Sequence, residues 1–436
     1  MRRALAALGA VLALAAPGGA PAATTITDLG GGERVYVRAD PAALLAGVEI
    51  AVRAGLDRET GSQNGLAALV AECVLRTPVV ASGSPTGTTP QSLADAVDAQ
   101  GASVRYAVGL QNVRFYLEGT PAALAAAAPL VAAALKAPSF DAATLASARA
   151  RLGERIAGDE ADPRTVGRAM LRAAYYRGGG AMPPFGTAAS LAAAGPADAR
   201  AFYGAWYRRA DAVAAAAGRT GAETDAAGRA MLDALPAGAA ATATPLAAKP
   251  FAAQPRRLVT QREALGPYVL LGFAAPPLGD RDFPAALVLK SLLSGLVERP
   301  SALALGSLFQ TGGSSYAYDA SPAHFVLWIN GLRTDPDIPL TAVTAVAKAT
   351  AAKPLTAAVL SRYKTLARGE WLLESVSVDA QAGAVANAVS HGLGPDAPDD
   401  VAAAIGRVTS ADVQRVAKKY FQKFDVALVV PRGSAR

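Results

Sequence analysis

Two stretches half a chain apart repeat one another. Leu135-Lys136-Ala137-Pro138, followed by a helical stretch holding Leu145 to Leu152, is echoed by Ala351-Ala352-Lys353-Pro354, followed by one holding Leu360 to Leu366. A period that long is no solenoid, whose units run to about 20–50 residues. It points to duplication of one unit, with chance similarity of alanine-rich helices as the alternative, and the local patterns say that the unit is mixed. Arg34 to Val37 and Val48 to Val52 alternate with period two and are rich in β-branched residues, as strands do. Gly65 to Leu75 and Pro90 to Gln100 read as helices. Ser103 to Val108 and Asn112 to Leu117 read as a hairpin turning at Gly109-Leu110-Gln111, and helices resume over Pro121 to Leu135 and Asp141 to Ile156. Pro236, Pro245, Pro250 and Pro255, spaced through alanine, threonine and glycine, resist helix and sheet alike and mark a linker. Strands then recur at Tyr268 to Phe273, Ser315 to Asp319 and Phe325 to Gly331, with a helix around Pro284 to Leu293 and further helices from Pro339 onward.

Composition narrows the function. With 436 residues, 52% of them hydrophobic and 18% charged, the bulk of the chain folds into more than one cored domain. One cysteine permits no internal disulfide and no cysteine-rich zinc site, and two histidines, His324 and His391, leave little material for metal chemistry. The net charge of +7 is spread in short pairs such as Arg208-Arg209 and Lys418-Lys419, so nucleic acid is not expected as a partner. Residues 1–22 read as a secretory leader: Arg2 and Arg3, an apolar run from Ala4 to Ala16, and small residues up to Ala22. The run is too short to span a bilayer. The expectation is an exported, periplasmic or secreted protein with no membrane span.

Val52-Arg53-Ala54-Gly55 and the stretch Gly65-Leu66-Ala67-Ala68-Leu69-Val70-Ala71-Glu72-Cys73-Val74-Leu75 resemble the opening of the pitrilysin or insulinase-type peptidases, the M16 family, whose pattern is G-L-A-H-F-L-E-H-M-L-F. The resemblance continues through Pro183-Pro184-Phe185-Gly186, Phe202-Tyr203 to Tyr207, and the helix Val408 to Tyr420. It implies an α+β chain of two related domains, each a mainly antiparallel sheet packed with helices, in the M16/LuxS-like metallohydrolase fold. The expected division is a leader over 1–22, an N-terminal-like domain over 23–235, a linker over 236–257 and a C-terminal-like domain over 258–436.

The family is also one of zinc peptidases, whose H-x-x-E-H puts two histidine ligands on one helix face with a glutamate base between them. Here those positions fall on Ala68, Ala71 and Glu72, and the family's third ligand lands near Ser147 and Ala148, in a stretch with no carboxylate between Asp141 and Glu154. The resemblance therefore implies a non-catalytic homologue with no cofactor of its own, zinc being expected only in a partner subunit. Glu72 reads as an i,i+4 ion-pair partner of Arg76, Cys73 as a small buried hydrophobe, and both histidines as structural or surface residues. Of the family's substrate-binding arginine and tyrosine, the tyrosine matches Tyr316 and the arginine position holds Phe309. Tyr316 and Tyr318 remain candidates for substrate binding, with packed strand tyrosines as the alternative. The expected partners are an active M16 homologue in a heterodimer, and peptides or unfolded protein segments adding as a strand to the hairpin from Gly101 to Leu117. The alternative is a stand-alone exported peptide-binding or structural protein. A hydrolase with relocated chemistry lacks any visible nucleophile, base and orienting group.

Overall fold

A computed structural model describes residues 24–30, 33–80, 90–242, 245–252, 254–297, 309–331 and 335–433. The leader over 1–22 lies outside the described residues, as does Leu308 before Phe309.

The first half holds strands β1 (Thr25–Gly30), β2 (Glu33–Ala39) and β3 (Ala46–Val52), helix α1 (Leu66–Arg76), short strands β4 (Pro78–Val79) and β5 (Gln91–Ser92), and helix α2 (Leu93–Asp98). The hairpin β6 (Ala102–Val108) and β7 (Val113–Gly119) follows, then α3 (Pro121–Lys136), α4 (Ala142–Ala161), α5 (Pro163–Tyr175), α6 (Ala188–Ala193), α7 (Pro196–Trp206), β8 (Ala212–Gly218) and α8 (Ala222–Asp233). The second half holds β9 (Arg257–Arg262), β10 (Tyr268–Ala275), α9 (Phe283–Val297), β11 (Phe309–Ala317) and β12 (Ala323–Gly331). Helices α10 (Asp337–Ala352), α11 (Ala357–Leu373), α12 (Val378–Ser390), α13 (Ala397–Arg407) and α14 (Ser410–Tyr420) and strand β13 (Phe424–Pro431) complete it.

The two sheets have one topology. The first runs β1-β2-β8-β3-β7-β6 and the second β11-β12-β10-β13-β9. Read from the other end, the second matches the first with β1 removed, and in both the pairing is antiparallel except for one parallel pair, β2 with β8 and β9 with β13. The repeat seen in the sequence is therefore a repeat of strand order and strand sense.

Each sheet has a core face packed on its own half's helices. Ile50, Phe115 and Leu117 of the first sheet meet Leu66, Leu69 and Leu93, and Phe273, Phe325 and Val426 of the second meet Phe283, Val288 and Phe421. The opposite faces are closed by an exchange: α12 of the second half lies across β2, β8, β3 and β7, and α5 of the first half lies across β9, β13, β10 and β12. Alanines make the first crossing flat, with Ala51, Ala215 and Ala217 against Ala382, Val385 and Ala386. Glycine allows the approach in both crossings. A Cβ on Gly167 of α5 would stand 2.3 Å from Leu270 Cδ1, and one on Gly383 of α12 would stand 2.7 Å from Glu49 Oε2. Because neither sheet is covered on both faces without the other half's helix, the halves stabilise one another.

The proline-spaced segment is pinned rather than loose. Ala248 bridges to Tyr176, Leu246 is buried beside Tyr175 and Tyr176, and the Ala241 amide donates to Asp211 Oδ2 at 2.7 Å. Among the described residues no helix is long and apolar enough to cross a membrane.

Candidate functional site

Helix α1 begins under a buried carboxylate. Glu59 Oε1 accepts from the Ala67 amide at 2.8 Å and Oε2 from the Gly65 amide at 3.0 Å, so a side chain from the preceding loop satisfies amides at the helix start. Burial pushes Glu59 up to about 7, against the pull of these two backbone hydrogen bonds. The helix is sunk into the core along its length, with Leu66 to Leu75 all buried. Its flank lies beside β6, the last strand of the first sheet.

Ala68 and Ala71 are completely buried, and their methyls pack in the core. Glu72, also buried, is paired with Arg76, Oε1 to Nε at 2.8 Å, the acid-first i,i+4 arrangement read from the sequence. Burial, and after it the neighbouring Glu72, raise the Tyr106 phenol far above its ordinary pKa. The Arg155 guanidinium donates to the same phenol at 3.3 Å and sits 4.0 Å over the Phe185 ring. On α4, Ala148 is buried and Ser147 exposed. Where the sequence resemblance would place two imidazoles and a base, this chain has two methyls and a carboxylate already neutralised by an arginine. Such a set does not fit zinc, which takes three protein donors even in an open catalytic site. Among the described residues no three His, Cys, Asp or Glu side chains come together as a metal-binding group.

The remaining candidates are occupied elsewhere. Cys73 is buried and its thiol is pushed up to about 12, by burial first and then by Glu72, so thiolate is scarce at neutral pH. His391 caps α12, its Nδ1 2.8 Å from the Asn387 carbonyl oxygen. His324 lies within β12 rather than ahead of a strand. It is stacked on Tyr175 at 4.7 Å between ring centres, and burial, with the Arg172 charge second, holds it down at about 3. Tyr316 donates its hydroxyl to the Pro276 carbonyl and packs on Phe283 and Phe325. Tyr318 donates to Glu374 Oε2 at 2.9 Å. Phe309 pairs with Gly331 across β11 and β12.

Two of the cavities between the halves hold the candidate residues. The larger, about 730 Å³, runs from Pro183, Phe185 and Gly186 along α5 to Tyr316 and His324. Its wall carries Arg168 and Arg172, which the reading of the sequence passed over although Arg164, Arg168 and Arg172 recur every fourth residue on α5. The smaller, about 360 Å³, is polar, with Arg114, Asp319, Glu374 and Asp379 on its wall. Glu49 of β3 was missed too. It is fully buried, and neither carboxylate oxygen has a hydrogen-bond partner.

No family model matches the sequence, and no curated protein matches it either. Solved structures do. A protease from Helicobacter pylori superposes with a TM-score of 0.80 at 15% identity, covering 94% of this chain and 99% of its own. A peptidase M16 inactive domain from Pseudomonas fluorescens gives 0.79 at 17% identity, over 95% and 99%. An M16-like peptidase from Alicyclobacillus acidocaldarius gives 0.72 at 17% identity, over 94% and 98%. At these identities the likeness is one of fold, and over nearly its whole length this chain has the fold of the M16-like peptidases.

Proposed function

We propose that this protein is an exported, non-catalytic M16-like subunit that pairs with a zinc-bearing homologue to enclose peptides for degradation. The observation that carries the reading is the state of α1: the helix is intact, capped and packed beside β6, while Ala68, Ala71 and the Arg76-paired Glu72 occupy the family's ligand and base positions. What remains usable is backbone. Strand β6 ends its sheet among the described residues, so one row of its amides and carbonyls is open to an added strand. Side chains alternate along it, with Val104 and Tyr106 inward and Ser103 and Arg105 outward, which suits pairing through the main chain. The likeness to a peptidase M16 inactive domain agrees with this reading.

Affinity purification of the tagged full-length chain from its native host tests the pairing. The expected result is a stoichiometric second chain with an intact H-x-x-E-H and chelator-sensitive peptide cleavage by the pair. Recovery of the chain alone, with peptide binding but no such companion, replaces this reading with that of a stand-alone binding protein.

A further inference from the structure

Among the described residues Arg172 has no carboxylate in contact with it, although the charges of Asp159 and Glu59 reach it from farther off. Its side chain is largely enclosed, its Nε is shielded from solvent with no hydrogen-bond partner, and among the described residues it makes no ion pair. Burial lowers its pKa to about 10. One turn earlier, Arg168 donates to Thr165 Oγ1 at 3.0 Å and likewise has no carboxylate partner among the described residues. Like charges four residues apart on a helix repel, and a largely enclosed charge with no contacting partner is costly to keep. An anion arriving from outside would relieve both costs.

The cavity on which both arginines lie says what kind of anion. Ile156, Val166, Met170, Phe185 and Val326 give it apolar walls, so the ligand has an apolar body. Three arginines line it, Arg168, Arg172 and Arg262, against two carboxylates, Asp159 and Glu160. Arg262 is already bonded to Thr260 Oγ1 and the Gln261 carbonyl, both at 2.9 Å, Glu160 is exposed on α4, and Asp159 acts on Arg168 and Arg172 through space without an ion pair to either, so the charge in excess is that of α5. His324 is not the anchor. A Cβ on Gly272 would lie 2.9 Å from its Nε2, which places that nitrogen against the sheet.

We propose that this cavity binds an apolar segment carrying one acidic side chain, with its carboxylate held by Arg172 and Arg168 along α5. The site rests on the peptide-binding reading above and adds to it a preference: the segment that reaches the cavity is acidic and flanked by apolar residues. A guanidinium fork matches a carboxylate with two parallel hydrogen bonds, which an amide of the same shape does not reproduce.

The test uses full-length protein and three probes: the amidated, fluorescein-labelled peptide Leu-Phe-Glu-Phe-Leu, its Leu-Phe-Gln-Phe-Leu counterpart, and 4-phenylbutyrate. Fluorescence anisotropy is expected to give at least about tenfold tighter binding of the glutamate peptide, which is about 1.4 kcal/mol. Arg172→Gln is expected to remove that preference while moving the glutamine peptide's Kd less than about twofold. Equal binding of both peptides to the unaltered chain, or a preference that survives Arg172→Gln, overturns the carboxylate site and leaves peptide binding standing. If neither peptide binds, the peptide reading fails, and thermal stabilisation by 4-phenylbutyrate decides the site separately. Stabilisation lost in Arg172→Gln supports it, and no stabilisation overturns it. Should Arg172→Gln not fold, Arg172→Lys keeps the charge and loses the fork, and an unchanged preference in that variant counts against the proposal.

Discussion

Replacing Glu49 by glutamine isolates one buried charge at the crossing of the two halves. Glu49 projects from β3 against Gly383 of α12, fully buried, with both oxygens lacking a hydrogen-bond partner. The charged groups around it are Arg114 of β7, Arg105 of β6 and Asp379 of α12, and the neutral Tyr116 phenol of β7 lies beside it and favours the carboxylate. Burial outweighs them all and raises the carboxyl from 4.5 to about 7. Below about pH 4.5 the group is protonated in folded and unfolded chains alike, and it contributes no pH dependence. Between pH 4.5 and 7 the unfolded chain gives up its proton while the folded chain keeps it, so stability falls as pH rises, by roughly 1.4 kcal/mol per unit. By pH 8 the loss reaches about 3 kcal/mol, equivalent to about 3–4 °C in Tm for a chain of this size. Glu49→Gln removes the proton release and keeps the shape. Thermal melts of both proteins from pH 4.5 to 8 are expected to coincide at the acid end and to separate with rising pH, the variant melting higher. Asp57 and Glu59, raised to about 6 and about 7, titrate in the same window but equally in both proteins, so the difference reports Glu49. A difference that does not vary with pH, or a variant that melts lower at pH 8, refutes the reasoning.

Other consequences are open to the same kind of check. Gly167→Ala drives a Cβ into Leu270 where α5 crosses the second sheet and is expected to lower stability by about 1–3 kcal/mol in urea unfolding. Cys73, buried and with its thiol pushed up to about 12, is expected to react with iodoacetamide at pH 8 only after denaturation, as read by mass spectrometry. The triple replacement Ala68→His, Ala71→Glu and Glu72→His is expected to give at most weak zinc binding in calorimetry. It supplies no carboxylate at Ala148, and it forces large groups into two fully buried alanine sites while removing the partner of Arg76. Tight zinc binding by that variant would show that the third ligand lies elsewhere.

The parts of the fold that alternate were legible, and the parts that do not were hidden. Strands β6 and β7 announce themselves through period-two patterns because one face of each meets a core, and β3 does so because larger apolar side chains on its core face alternate with Glu49 and Ala51 under α12. Strand β8 reads Ala-Val-Ala-Ala-Ala-Ala-Gly, a helix former's composition, and was passed over. It is a strand because it lies between β2 and β3 with helices on both faces, where only small side chains fit. Strand β13, apolar and buried nearly throughout, has no alternation to read, and β9 is set by its parallel pairing to it. Helix α4 runs to Ala161 rather than Ile156, and β11 begins at Phe309 rather than Ser315. The exchange of α5 and α12 is a long-range packing event with no local signature beyond Gly167 and Gly383. At the site, the losses at Ala68 and Ala71 and the Glu72–Arg76 pair were visible in the sequence, since each is a matter of residue identity and helical spacing. Glu49 and Arg172 were not, because a lone carboxylate in a strand or an arginine on a helix becomes notable only once burial and missing partners are known.

The most direct test of the central claim is the metal content of the purified full-length chain, measured by elemental analysis after equilibration with zinc and buffer exchange, together with peptide turnover by the same sample. With Ala68 and Ala71 buried as methyls and Glu72 held by Arg76, the account predicts zinc far below one equivalent and no chelator-sensitive cleavage. One molar equivalent of retained zinc with cleavage abolished by chelator and restored by metal would contradict it.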